Sequence, residues 1–204
     1  MGLSSTEKYK SNLFAWIDSR AKIQADVTVQ RMEGEKFMVV TGAAFLDHVK
    51  YLLNRELRAL GNTEVSIEDW TQKLALLNIQ GPMSRKVLKQ IICKEKHVDD
   101  VVISNERFPF ATAKVLRLRN GVDATVCRLT YVGENGYELY VPMSEAVSVA
   151  QLIMESDSDV RLAGMESSKI CFAIIGGQRG VGGGGIPTLD QNQHPPSQES
   201  KTLL

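Results

Sequence analysis

Two glutamates, Glu134 and Glu138, lie in a short segment that has the pattern of a turn between strands. We expect Glu134 to be structural, bonding turn amides, and Glu138 is the candidate for binding a ligand. The segment reads Arg128-Leu-Thr-Tyr-Val-Gly-Glu-Asn-Gly-Tyr-Glu-Leu-Tyr-Val-Pro142. Its alternating apolar residues predict two strands, and Gly133 and Gly136 allow a positive φ or a close approach to the backbone. We expect Glu138 to be fixed at the start of the second strand, where its carboxylate could recognise a ring with several N–H donors, such as a pterin. The pattern also fits a hairpin whose acids, Glu134 included, are simply solvated.

A second candidate is Asp26, in the segment Ile23-Gln-Ala-Asp-Val-Thr-Val29. Apolar and polar residues alternate there, which predicts a strand whose polar face carries Asp26. A carboxylate beside a ligand can stabilise developing positive charge. It can also relay a proton if burial raises its pKa. An exposed strand acid without a ligand would give the same pattern, so both interpretations stay open.

The elements that position these acids alternate between strand and helix patterns. The Asn120-Gly121 pair predicts a tight hairpin, and Ser144 is typical of a helix cap. This order predicts an α+β domain in which helices pack on an antiparallel sheet. The predicted strands are 23–30, 36–41, 64–67, 74–79, 108–119, 122–132 and 137–141, and the predicted helices are 43–60, 81–92 and 144–155.

The character of the sequence changes near residue 176. Residues 176–185 are mostly glycine, and the remainder to residue 204 is polar with three prolines. We therefore predict a domain at 11–175 and a Gly/Pro-rich disordered tail at 176–204. Within the tail, 180–185 formally satisfies the GxGxxG pattern, but the following prolines oppose the helix that a dinucleotide site requires.

Composition excludes several classes of function. The chain of 204 residues has a formal net charge of zero, which gives no electrostatic reason to expect nucleic acid or an anionic membrane as a partner. Its apolar runs are too short for a membrane span. The odd number of cysteines predicts reduced, mostly buried thiols, and we expect no metal site from the histidines. These residues are Cys93, Cys127, Cys171, His48, His97 and His194.

Five segments, in chain order, resemble the folate-binding aminomethyltransferase family. The segment 128–142 resembles the family signature, Arg-x-Thr/Ser-Tyr/Phe-x-Gly-Glu-x-Gly-aromatic-Glu-Leu-x-x-Pro. The family includes the T protein of the glycine cleavage system and the C-terminal halves of sarcosine and dimethylglycine dehydrogenases. The sarcosine dehydrogenase branch is the most similar, and the resemblance implies the family's fold for about residues 17–165. The other segments are 23–29, 77–88, 103–110 and 160–165.

The resemblance also implies roles for three residues. Asp26 occupies the position of an acid that contacts the folate and assists transfer, and Glu138 that of the glutamate that binds the pterin. Tyr131 matches an aromatic position that lines the cavity, although a core tyrosine would also fit. The implied reaction transfers a one-carbon unit from an aminomethyl or iminium donor to tetrahydrofolate. Implied partners are folate and a flavin dehydrogenase or carrier protein, in the mitochondrial matrix, or in the cytoplasm if the chain lacks its leader.

The chain departs from the family pattern in ways that put activity in doubt. Ala21-Lys22 replaces a usual Gly-Gly, and Ser168 aligns with an arginine that grips folate in the T protein. The flavin half of the dehydrogenases is absent, so we expect a truncated or divergent relative. A second hypothesis is therefore a non-catalytic regulatory or binding module, related to the regulatory subunit of pyruvate dehydrogenase phosphatase. A third is a fragment that does not fold stably, with apolar surface left exposed.

Overall fold

The computed structural model describes residues 10–32, 34–61, 64–93, 103–129, 133–163 and 201–203. Within them lie nine strands and three α-helices, two of which follow a short 3-10 turn. The strands are β1 (Ser11–Ile17), β2 (Ile23–Arg31), β3 (Phe37–Thr41), β4 (Leu74–Gln80), β5 (Ala113–Arg117), β6 (Asp123–Cys127), β7 (Gly136–Pro142), β8 (Val160–Leu162) and β9 (Lys201–Leu203). The helices are α1 (Leu46–Ala59), α2 (Ser84–Ile91) and α3 (Ala146–Ser156).

The smaller sheet has the order β1-β2-β3, and both of its strand pairs are antiparallel. Successive side chains of β2 point to opposite faces. Ala25 belongs to one face, where it packs with Val49 and Leu52 of α1. Thr28 and Gln30 are buried on the other face. The alternation in β2 therefore reflects an apolar face under a helix and a polar face under a second layer.

The larger sheet has the order β5-β6-β7-β4-β9-β8, and only its β8–β9 pair is parallel. Strand β7 lies between β6 and β4, and it pairs with β4 from Leu74↔Pro142 to Gln80↔Gly136. Gly121 has a φ of 84° in the turn between β5 and β6. Only glycine adopts this conformation without strain, which is why the hairpin closes there.

The two faces of β7 meet different layers. Tyr137, Leu139 and Val141 have no exposed surface and belong to the main core, to which α2 and α3 contribute. Glu138 and Tyr140 lie on the opposite face and are also buried. The cluster around Tyr140 joins the larger sheet to β3 and comprises Ala113, Cys127, Leu129 and Tyr140, with Met38, Val40, Leu74 and Ala111 partly buried against them.

The observed elements confirm the predicted α+β class and most predicted segments. The prediction of a strand at 64–67 was wrong, because these residues form no ladder and Val65 is 52% exposed. Ser144 is not the cap of α3, since a 3-10 turn precedes the helix and Glu145 occupies the capping position. Cys127 is buried and free, as predicted, whereas Cys93 is exposed.

The predicted division of the chain at residue 175 stays a prediction, because residues 164–200 lie outside the described part, together with Cys171. Residues Lys201–Leu203, in the segment expected to be a tail, form β9 between β4 and β8. Among the described residues, no helix is long and apolar enough to cross a membrane.

Candidate functional site

Glu138 is the third residue of β7 and is only 2% exposed. Because side chains two residues apart share a strand face, it lies beside Tyr140. The Tyr140 hydroxyl donates a hydrogen bond of 2.6 Å to Glu138 Oε2. Burial raises the pKa of the Glu138 carboxyl, and the bond from Tyr140 acts in the opposite direction. A carboxylate can accept about four hydrogen bonds, so Glu138 has the capacity for further N–H donors.

Cys127 lies directly opposite Glu138 in the β6–β7 ladder. Its Sγ donates a hydrogen bond of 2.9 Å to Oε1 of Gln30, which belongs to β2 and is 1% exposed. This bond therefore crosses from the larger sheet to the smaller one. Burial, followed by the negative charge of Glu138, raises the pKa of the Cys127 thiol to about 12. The thiol consequently stays protonated at neutral pH and acts as the donor.

The side-chain amide of Gln30 is oriented with its oxygen towards the thiol of Cys127. Since Oε1 of Gln30 accepts from Cys127, its Nε2 must point elsewhere. That nitrogen is buried and has no hydrogen-bond partner among the residues that the structure describes. Native proteins satisfy the great majority of buried polar groups, so an unpaired buried donor calls for an explanation. The layer between the sheets thus combines a buried carboxylate with an unsatisfied amide donor.

Asp26 lies on the same face of β2 as Thr28 and Gln30, but its side chain is exposed. The four-residue step from Asp26 to Gln30 spans about 13 Å along the strand. The backbone carbonyl of Asp26 accepts a 3.4 Å bond from the hydroxyl of Thr41. The face of β2 therefore runs from an exposed acid at Asp26 to the buried amide at Gln30. Tyr131, the third predicted site residue, lies outside the described residues.

The glycine-rich turn before β7 forms one wall of a groove with a volume of about 380 Å³. Arg128 lines the groove and donates to the carbonyl of Phe108 at 2.8 Å and to Oδ1 of Asn135 at 3.3 Å. These bonds tie the end of β6 to the turn. The lining residues are Phe110, Arg128, Gly133, Glu134, Asn135 and Gly136.

Gly133 and Gly136 each behave as the sequence predicts. Gly133 has a φ of 76°, in the left-handed region that favours glycine. A Cβ at Gly136 would lie 2.2 Å from Oε1 of Gln80 and 2.5 Å from the carbonyl oxygen of Leu129. The close approach at Gly136 therefore comes from β4 and from the end of β6, which fixes the start of β7 and hence the direction of Glu138.

Sequence reasoning did not single out Gln30, Cys127, Tyr140 or Arg128 as site residues. The signal for Tyr140 was present, since it lies two residues after Glu138 in a strand pattern. Arg128 is the first residue of the family signature, yet its position there indicates no role. Gln30 carries no such signal, because its importance arises only when the two sheets pack face to face.

A family model described as the GCVT N-terminal domain matches residues 2–171. A sarcosine dehydrogenase, mitochondrial, from Mus musculus is 31% identical over 131 residues, which cover 64% of this chain and 13% of that protein. An aminomethyltransferase from Caldanaerobacter subterraneus subsp. tengcongensis is 30% identical over 138 residues, covering 67% of this chain and 33% of that protein. A dimethylglycine dehydrogenase, mitochondrial, from Homo sapiens is 26% identical over 149 residues, covering 73% and 16%.

The fold has a counterpart among solved structures. The glycine cleavage system aminomethyltransferase T from Bartonella henselae matches with a TM-score of 0.63 and 20% sequence identity, over 84% of this chain and 42% of that one. The chain thus spans less than half the length of each of these proteins. Because the family model covers far more than half of the chain, the protein belongs to the GCVT N-terminal domain family.

Proposed function

We propose that this domain binds the pterin ring of a reduced folate and supports transfer of a one-carbon unit from an aminomethyl or iminium donor to tetrahydrofolate. The observation that carries the proposal is the carboxylate of Glu138, which is buried on a rigid strand with acceptor capacity to spare. The family, whose relatives include an aminomethyltransferase and amine dehydrogenases, supports the same chemistry.

The residues between the sheets fit a pterin. Its amino group and the adjacent ring N–H are two parallel donors, which a carboxylate can accept together in a bidentate arrangement. A buried carboxylate without enough donors is costly, and burial raises the pKa of Glu138 for this reason. A ligand with two N–H donors would favour the ionised form of Glu138. Such a ring would therefore supply the N–H donors that the buried carboxylate of Glu138 needs in addition to the Tyr140 hydroxyl.

Asp26 is proposed as the acid that assists transfer. Tetrahydrofolate, when bound, supplies the nitrogen that accepts the one-carbon unit. Asp26 lies on the face of β2 that also carries Gln30, about 13 Å away along the strand, and its side chain is exposed. Its carboxylate can stabilise positive charge on an iminium donor there. Tyr131 is proposed as an aromatic contact for the same ligand.

A flavin dehydrogenase or a carrier protein is the proposed source of the one-carbon donor. The mammalian relatives are sarcosine and dimethylglycine dehydrogenases named as mitochondrial, which supports such a partner and a location in the mitochondrial matrix. The exposure of Asp26 favours a second candidate, a non-catalytic binding or regulatory module. A transfer catalyst needs its acid enclosed beside the ligand, whereas a module does not.

Calorimetric titration of the full chain with 5-formyltetrahydrofolate tests the binding step. We expect saturable binding that Glu138→Gln weakens at least about tenfold, because the charge-assisted bonds are lost. Glu134→Gln is the matched control, since it changes an exposed glutamate in the turn before the same strand. A folded protein that shows no saturable binding would rule out the proposed function.

Transfer from a donor to tetrahydrofolate then separates the two candidates. We expect Asp26→Asn to bind the folate as the unmodified protein does, but to lose most of the transfer activity. Binding without any transfer in the unmodified protein would favour the module over the enzyme.

A further inference from the structure

We propose that Gln30 is a specificity-determining residue, whose buried side-chain amide donates to the ring carbonyl of the pterin. Together with Glu138, it would select a 2-amino-4-oxo ring over a 2,4-diamino ring. This proposal rests on the proposed function, because it assigns a second contact to the same site.

The position of Gln30 follows from the packing of the two sheets. Gln30 lies on β2 opposite Ser11 of β1 and Met38 of β3, so it is in the middle of the smaller sheet. Its Oε1 reaches the thiol of Cys127 at 2.9 Å. Cys127 in turn pairs directly with Glu138, and side chains at such cross-strand positions are about 5 Å apart. The Gln30 amide and the Glu138 carboxylate therefore approach the same space from the two sheets.

Of the two polar groups in the Gln30 side chain, the amide nitrogen is the one available to bind a ligand. The thiol of Cys127 occupies the amide oxygen, and the amide nitrogen is buried without a partner in the described part of the chain. An acceptor on a ligand would satisfy this donor at no cost to an existing bond. If the ring needs more room, the thiol–amide bond is a weak one to displace, since a thiol is a poor donor.

The chemistry of the ring matches this pair of groups. A 2-amino-4-oxopteridine presents two N–H donors beside one carbonyl along a single edge. Glu138 can accept from the donors while Nε2 of Gln30 donates to the carbonyl. A 2,4-diamino ring places an amino group where the carbonyl stood, so that the N–H of Gln30 would face another N–H donor. Such a ring also has no N–H at N3, so Glu138 would lose one of its two donors. Sites built around a specific hydrogen bond reject analogues that lack it strongly, because buried polar groups are then left unpaired.

Folic acid and its 4-amino analogue aminopterin are a useful pair of probes, since they differ in the substituent at position 4 and in the N3–H that only the 4-oxo ring carries. We expect the full-length unmodified protein to bind folic acid more than about tenfold tighter than aminopterin in calorimetric titration. Gln30→Met keeps the volume of the side chain and removes the amide. It should weaken folic acid binding about tenfold and leave aminopterin binding unchanged, so the preference narrows about tenfold, and the part that remains comes from the bond between Glu138 and the N3–H.

Two further variants keep the test decisive. Gln90→Met is the control, because the Oε1 of Gln90 is also buried without a partner among the described residues but belongs to α2, on the other side of the larger sheet. It should keep the preference for folic acid. Gln30→Glu keeps an oxygen for the Cys127 thiol and replaces the donor by an oxygen, so it should shift the preference towards aminopterin even if Gln30→Met fails to fold.

The possible outcomes test the role of Gln30 separately from folate binding by the domain. Equal binding of both probes by the unmodified protein, or equal weakening of both in Gln30→Met and Gln30→Glu, would overturn the role of Gln30. Folic acid binding that depends on Glu138 would leave the proposed function standing in that case. Absence of saturable binding of folic acid and of 5-formyltetrahydrofolate would overturn both.

Discussion

The two faces of β7 are equally buried but chemically opposite. On one face Tyr137, Leu139 and Val141 pack into the main core without exposed surface. On the other, Glu138 and Tyr140 are 2% and 6% exposed between the sheets, where the carboxylate has to be accommodated away from water. Burial of apolar groups stabilises the fold, whereas burial of a carboxylate costs stability unless it is well paired. The cost of burying Glu138 supports the ligand-binding role that we propose for it.

The apolar face should show the largest effect on stability. Leu139→Ala removes a fully buried side chain from the main core and leaves a cavity. We expect the free energy of unfolding to fall by about 2–5 kcal/mol, measured by urea denaturation. Val147→Ala on α3 is the control, because Val147 is 70% exposed and its loss should change stability by less than about 0.5 kcal/mol. A similar small change in Leu139→Ala would contradict the assignment of this face to the core.

The start of β7 should be the next most sensitive position. Gly136→Ala would place a Cβ 2.5 Å from the carbonyl oxygen of Leu129, so backbone must shift as well as the side chain of Gln80. We expect destabilisation of about 1–3 kcal/mol in thermal or urea unfolding. Gly42→Ala is the matched control, since the nearest atom to a Cβ there lies 3.6 Å away. Equal stability of the two variants would indicate that β7 is not held by this close approach.

The buried Glu138 on the polar face should make the free energy of unfolding fall as pH rises. An acid whose pKa is lowered by folding has the opposite effect. Because burial raises the pKa of Glu138 above its unfolded value, the folded state holds the proton where the unfolded state has lost it. Stability therefore falls as pH rises from the unfolded pKa, about 4.5, through the folded pKa. The fall is at most about 1.4 kcal/mol for each pH unit that separates these two pKa values. Glu138→Gln should remove this fall, so the variant gains stability relative to the unmodified protein as pH rises above about 4.5.

The control for this prediction is Glu134→Gln, which changes an exposed side chain in the turn before β7 and should change stability by less than about 0.5 kcal/mol. The variant Glu138→Gln thus separates stability from function, since the same change is expected to stabilise the fold at neutral pH and to weaken folate binding. Parallel pH profiles for Glu138→Gln and the unmodified protein would show that the carboxyl is not strained by burial.

Much of this architecture follows from the sequence alone, because strand and helix periodicities are local. The alternation in β2 and β7 identified both strands, put Asp26 on the polar face of β2 and placed Glu138 at the start of β7. The strand predicted at 64–67 does not form, because no other strand in the described part of the chain pairs with it. Strand pairing depends on the tertiary fold, and the β-propensity of a short segment does not predict it. The depth of burial of Glu138, the bond from Cys127 to Gln30 and the exposure of Asp26 depend on how two sheets stack, and no local pattern encodes that.

The smallest expected effect tests the link between the two polar residues of β7. Tyr140→Phe removes the hydroxyl that donates to Glu138 Oε2 at 2.6 Å while keeping the ring in its cluster. We expect a loss of about 1 kcal/mol at neutral pH, together with a further rise in the pKa of Glu138, because the lost bond favours the ionised form. In a Glu138→Gln background the same change should cost less, since the acceptor is no longer charged. Identical costs in the two backgrounds would mean that the Tyr140 hydroxyl stabilises the packing of the sheets by itself, and that Glu138 is held in place by the strand alone.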